Sequence, residues 1–230
     1  MSDVRGILIC LEGIDGAGKT SLAERVSTHP SGCGQEPFFV DKKDVSFAME
    51  ANVAKQIDHL RNGLWFYEKD LDLDLLGDRY WLYTISAWYS TIKRIRIDQL
   101  LAAGVDVIVD GWTYKYLARF SLKSEETAAL AKTIFDTVPH PDLTIRLQLT
   151  PEQAASRKNS FKKSESGAFD GESAGAVAGF ISYQSKVSAE LDKLAQEHCW
   201  VEYQCGEKGI PESASDIIKI ITEYKNSFGY

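Results

Sequence analysis

The chain has 230 residues, a formal net charge of −7, 44% hydrophobic residues and four cysteines. That length suits one α/β domain with a substantial core, and the acidic balance argues against a nucleic-acid partner held on a broad basic face, since such binding neutralises phosphates with Lys and Arg. No apolar stretch is long enough to span a bilayer, no charged leader precedes an apolar signal core, and Cys10, Cys33, Cys199 and Cys205 form no C-x-x-C pair, so a cytoplasmic protein with reduced thiols and no membrane partner is expected. His29, His59, His140 and His198 are too scattered for a metal cluster.

In chain order, the apolar run Gly6–Leu11 predicts a buried strand, and it leads into Gly13-Ile14-Asp15-Gly16-Ala17-Gly18-Lys19-Thr20, which fits G-x-x-x-x-G-K-[ST]. A helix over 20–28 follows, ended by the turn-forming residues 29–34. Phe38-Phe39-Val40 suits a second strand, and 46–62 carries helical periodicity with Gly63 as its stop. Residues 64–76 are aromatic and acidic without a deciding period. Over 78–103, Trp81, Ile85, Trp88, Ile92 and Ile95 recur every three or four residues, which predicts a helix closed by Gly104 whose aromatics are core rather than cofactor contacts. Val105–Asp110 suits a buried strand ending in a carboxylate. A helix over 124–138, a strand over 143–149, a helix opened by Pro151 and reaching Arg157, a helix over 176–197, a strand over 200–203 and a helix from Ser213 complete the pattern. Such alternation implies a mostly parallel sheet covered on both faces.

The glycine loop is the chemically specific element. Glycines let successive N–H groups turn inward on a polyphosphate, and the following helix adds the positive end of its dipole. Lys19 is then expected on the β- and γ-phosphates and the Thr20 hydroxyl on Mg²⁺. Asp110, at a strand C-terminus, suits support of the same metal, a cap being the plain alternative. Asp15 either faces the acceptor or stabilises the turn. Arg157, Lys158, Lys162 and Lys163 border a stretch with Gly167 and Gly171. A solvated charge run is the ordinary explanation, but beside a phosphate loop Arg157 suits a closing flap that stabilises transferred charge and excludes water.

Glu12-Gly13-Ile14-Asp15-Gly16-Ala17-Gly18-Lys19-Thr20-Ser21 resembles the phosphate loop of thymidylate kinases, within the P-loop nucleoside monophosphate kinases. The likeness continues through Leu75-Leu76-Gly77-Asp78-Arg79, Leu100 to Asp110, Pro141-Asp142-Leu143-Thr144, and Leu149-Thr150-Pro151-Glu152 with Arg157. The resemblance implies a three-layer P-loop kinase fold, a single domain over 1–230 with a small lid around 157–173. It implies ATP and Mg²⁺ at Gly13 through Ser21, with Lys19, Asp110 and Arg157 as catalytic groups and Thr20 and Asp110 at the metal. It also places Arg79 on the acceptor base.

Departures fall on the acceptor side. Gly111 stands where the family has an arginine on the acceptor 5′-phosphate, Gln35-Glu36-Pro37 lacks the arginine of an Arg-Glu-Pro segment, and Leu75 replaces a stacking phenylalanine. Losing a bidentate arginine is not conservative. Lys115 and Arg119, one turn apart on one face, are candidates for replacement charge. The expected activity is transfer of the ATP γ-phosphoryl group to a nucleoside monophosphate, dTMP or a relative. A kinase of a nucleoside or other small alcohol would also explain Gly111, and a nucleotide-binding protein without turnover is the alternative outside enzymes. Thymidylate kinases are commonly dimers, and the aromatic stripe over 78–103 is compatible with a homodimer interface or with core.

Overall fold

A computed structural model describes residues 5–29, 36–44, 50–66, 73–167, 177–206 and 208–229. Five short segments lie side by side as a parallel sheet in the order β2-β3-β1-β4-β5, with β1 Leu8–Glu12, β2 Phe38–Phe39, β3 Val107–Val109, β4 Leu143–Gln148 and β5 Val201–Gln204. In register, Leu8 faces Val107 on one side while Ile9 faces Leu143 on the other. Every residue of β1 is buried, as a central strand covered on both faces requires. Its continuous apolar run arises from that position.

The helices are α1 Lys19–Ser27, α2 Ala51–Trp65, α3 Gly77–Ile92, α4 Asp98–Ala102, α5 Tyr114–Ser121, α6 Glu125–Phe135, α7 Pro151–Ser156, α8 Val177–Glu197 and α9 Ile210–Phe228. Two starts are set by local chemistry. Ser124 Oγ accepts the Thr127 N–H at 3.1 Å to cap α6, and Thr150 with Gln153 forms a reciprocal capping box ahead of Pro151 in α7. Among the described residues, no helix is long and apolar enough to cross a membrane.

Three expectations are corrected. Gly63 does not stop α2, which runs on to Trp65; a Cβ there would lie 3.6 Å from Tyr80 Oη, an ordinary contact, so the glycine sits within the helix without ending it. The last helix starts at Ile210 rather than Ser213, because Pro211 suits a first turn. The helix expected over 78–103 is α3 and α4 joined by a π-helical segment, Lys93–Ile97, and ends at Gly104 with φ +77°. Along it Trp88, Ile85 and Ile92 are core, whereas Trp81 and Ile85 also border a large cavity. The aromatic stripe therefore serves both packing and the cavity wall. Within 64–76, Leu64 and Trp65 finish α2 and 73–76 is a 3₁₀ turn.

Candidate active site

The C-terminal ends of β1 and β3 bring the glycine loop and the Asp110 segment together, where ligands of parallel sheets bind. Each loop glycine has its own reason. A Cβ on Gly13 would meet the Leu147 carbonyl at 3.0 Å, Gly16 has φ +86° with Ala154 O 3.1 Å from a Cβ, and Gly18, at φ +88°, opens α1. Ile14 and Ala17 are buried and pin the loop to the core. The Glu12 carboxylate, fully buried, accepts the Gly13 N–H at 2.9 Å and the Trp112 N–H at 3.4 Å, which ties the loop to the segment after β3. Lys19 Nζ donates to Gly13 O at 2.5 Å and Ile14 O at 2.9 Å. Burial first, and then the Lys115 charge, lower its pKa to about 8.

Thr20 Oγ1 donates to Asp110 Oδ2 at 2.5 Å, while Lys42 Nζ donates to Asp110 Oδ1 at 2.9 Å and to the Asp110 carbonyl at 3.0 Å. Burial opposes charge on Asp110, but the Lys42 ammonium and the Thr20 hydrogen bond outweigh it and hold the carboxyl below its usual range. The same pairing raises the Lys42 pKa against the opposite pull of its burial.

Asp15 is held from three directions. Lys115 Nζ lies 2.8 Å from Oδ1, Arg119 Nη2 lies 2.6 Å from Oδ2, and Gln184 both donates to Oδ2 at 3.2 Å and accepts the Asp15 N–H at 3.0 Å. Burial would raise this carboxyl, yet Lys115 and Arg119 bring it well below the ordinary carboxylate range. The i, i+4 pair read from the sequence thus faces the cavity and clamps the phosphate loop to α5 and α8.

Loop, Asp110 segment and α5 share one cavity of about 1240 Å³ with Trp65, Trp81 and Tyr183 in its walls. Among the described residues, nine cations and five acids line it, on a chain of formal charge −7. This concentration of positive charge is local and suits a polyanion. Ser21 and Arg157 also border it; Arg157 Nη2 donates to Cys205 O at 3.2 Å, beyond β5. Lys158 pairs with Glu165 at 3.1 Å, and Lys162 lines the cavity. Residues 168–173 of the expected lid, the Lys163 side chain, Cys33 and Gln35 lie outside the described residues.

Arg79 is not brought to the cavity. Its side chain is 68% exposed and faces Glu126 at 3.6 Å, because on α3 it is turned away from the cavity-facing Asp78 and Trp81. Leu75 is 81% exposed. Asp78 instead pairs with Lys123 at 2.6 Å at the cavity wall.

No family model matches the chain. A probable thymidylate kinase 2 of Saccharolobus solfataricus is 26% identical over 232 residues, spanning 96% of this chain and 98% of that one. A Caenorhabditis elegans thymidylate kinase is 28% identical over 161 residues, 66% of this chain and 67% of that one. The chain is thus similar to thymidylate kinases over nearly its whole length. The structure of thymidylate kinase from Candida albicans superposes with a TM-score of 0.65 at 22% identity, covering 96% of this chain and 93% of that one, which shows the shared P-loop kinase fold.

The cavity cation missed from the sequence is Lys42. Its only sequence signal was position: Asp41-Lys42-Lys43 follows β2 at the ligand-binding edge of a parallel sheet. Glu12, Gln184 and Lys123 were equally silent, since each acts through a partner remote in sequence.

Proposed function

We propose that the chain is an ATP-dependent nucleoside monophosphate kinase of thymidylate kinase type, carrying the γ-phosphoryl group to dTMP or a close relative. The observation that carries this reading is one cavity that holds Lys19, Thr20 and Asp110 together with Lys42, Lys115 and Arg119, enough cationic charge for two phosphate-bearing ligands to meet there.

The residues present fit Mg·ATP. Glycines at positive φ hold the loop's backbone in a cradle, and a hydroxyl and a carboxylate converge at Thr20 and Asp110 as hard oxygen donors for Mg²⁺. Mg²⁺ when bound neutralises charge on the polyphosphate during transfer. Residues Gly13 through Ser21 hold the donor phosphates, with Lys19 moving from its carbonyl contacts to them. Arg157 adds charge from the 157–173 segment, which we assign as a lid on a single domain over 1–230. Lys42, Lys115 and Arg119 supply the acceptor phosphate's charge that Gly111 cannot. Asp15 orients two of these cations, and Asp78 with Lys123 replaces Arg79 as the polar pair nearest the acceptor base. Catalysis rests on positioning and electrostatic stabilisation, without a covalent intermediate.

The cations on the acceptor side disfavour an uncharged alcohol as acceptor. Free thiols at Cys10, Cys199 and Cys205 accord with a cytoplasmic setting. A homodimer is the assembly we assign by family, with exposed Tyr80 and Tyr83 on α3 as its starting point for light scattering after size exclusion. The decisive assay incubates the protein with Mg·ATP and a panel of nucleoside monophosphates, nucleosides and small alcohols. Formation of dTDP or a related diphosphate is expected; transfer only to an uncharged acceptor, or to none, sinks the proposal.

A further inference from the structure

Gly111 and Lys42 belong to one arrangement. Gly111 has φ +119°, a region costly for any residue with a Cβ, so the backbone itself disfavours an arginine there. A Cβ at that position would stand 3.7 Å from Lys42 Nζ, 3.9 Å from Glu12 Oε1 and 3.9 Å from Lys19 Cε. The space beside the strand end therefore already contains a cation, delivered from the segment after β2. The backbone of Lys42 is fixed, because Trp88 Nε1 donates to its carbonyl at 2.9 Å. Its four-carbon stem is the adjustable part, ending on Asp110.

Asp110 cannot serve two cations equally. Its Oδ2 already meets Thr20, the hydroxyl that with it forms the donor set for a divalent ion, and its Oδ1 holds Lys42. A dication at Thr20 and Asp110 weakens the hold on Lys42 by competing for the carboxylate and by like-charge repulsion at short range. The neighbouring cations have no such competitor, since Lys115 and Arg119 are bound to Asp15, on the other side of the loop. Lys43 lies over the Trp65 ring at 5.2 Å.

We infer that Lys42 is an exchanging cation: it is held by Asp110 before the donor binds and turns to the acceptor phosphate when a divalent ion takes Asp110. Donor binding then prepares the acceptor site. The consequence is positive coupling between Mg-nucleotide and acceptor monophosphate, a property that a fixed arginine at position 111 would not require. This inference rests on the phosphoryl-transfer reading above.

The test is titration calorimetry of dTMP into the full chain, alone and with saturating Mg²⁺ plus the non-hydrolysable β,γ-imido analogue of ATP, or with that analogue in EDTA. For the wild-type chain, dTMP binds about tenfold tighter with the Mg-analogue, within the usual range of coupling between sites, and gains little from the analogue in EDTA. In Lys42→Met the ratio falls to near one while the Mg-analogue still binds; Lys42→Arg retains a ratio above one. Thermal melting of both variants confirms that they fold. A merely structural lysine would weaken dTMP binding in both states and leave the ratio unchanged, which overturns the exchange. So does a wild-type ratio of one, or an equal gain in EDTA, and in each case the kinase reading stands because both ligands bind. Failure of dTMP to bind in any state removes that reading and the exchange with it.

Discussion

In the proposed function, the donor and acceptor halves of the cavity are built in opposite ways. The donor half is a contiguous stretch, Gly13 to Ser21, whose glycines, lysine and threonine act through local backbone geometry. The acceptor half is assembled from the segment after β2, the start of α3, the residues after β3 and the face of α5, brought together across distances of 45 to 104 positions in the chain. A contiguous site tolerates little change because every residue serves one geometry. A dispersed site can exchange one cation for another, and in the proposed reading Lys42, from the segment after β2, supplies the charge that Gly111, after β3, does not.

Lys19→Ala tests the contiguous half most severely. Turnover should fall on the order of a thousandfold, as for loss of one preorganised electrostatic donor, with the melting temperature little changed; a variant with wild-type kcat would remove the loop from the chemistry.

Asp15 joins the two halves, so its loss should be felt in stability. Asp15→Asn weakens charge-assisted bonds to Lys115 and Arg119 and should cost about 2 kcal/mol at neutral pH, measured by denaturant unfolding. The sign with pH follows from the depressed carboxyl: its stabilisation is complete above the ordinary carboxylate range and is lost as pH falls through the folded-state pKa. The wild-type protein should therefore lose stability more steeply in acid than Asp15→Asn, and parallel profiles would show that the clamp contributes nothing.

Gly111→Ala isolates backbone strain from missing charge. A side chain at φ +119° should destabilise by about 1–2 kcal/mol, lowering the melting temperature by several degrees, and Gly111→Arg should be no better. Recovery of stability and dTMP affinity in Gly111→Arg would mean that Lys42 is not the replacement.

The smallest effect belongs to Arg79→Ala. An exposed side chain paired only loosely with Glu126 should change stability by within about 0.5 kcal/mol, and KM for the acceptor should hold, whereas Lys123→Ala should raise it. The reverse pattern would restore Arg79 to the acceptor base.

The strand–loop–helix order, the phosphate loop and the strand ending at Asp110 were legible because each is written in consecutive residues. Glu12, sitting inside a recognised motif, still gave no hint that its carboxylate reaches Trp112 across the sheet. Gly63 shows the converse: a glycine that reads as a stop by its own chemistry lies within α2, which continues to Trp65. Gly111 appeared as a missing arginine, and its positive φ, invisible in composition, turns that absence into a requirement of the backbone.

Local chemistry alone thus establishes the phosphate loop, the caps at Ser124 and Thr150, the parallel α/β pattern and the cations one turn apart at Lys115 and Arg119. Folding in three dimensions chose their partners: Asp15 for that pair, Asp110 for Lys42, Glu126 rather than the cavity for Arg79. The division has a physical origin. Dihedral preference, capping and short-period burial act over a few residues, whereas the meeting of charges depends on how strands order and helices rotate when the whole core closes.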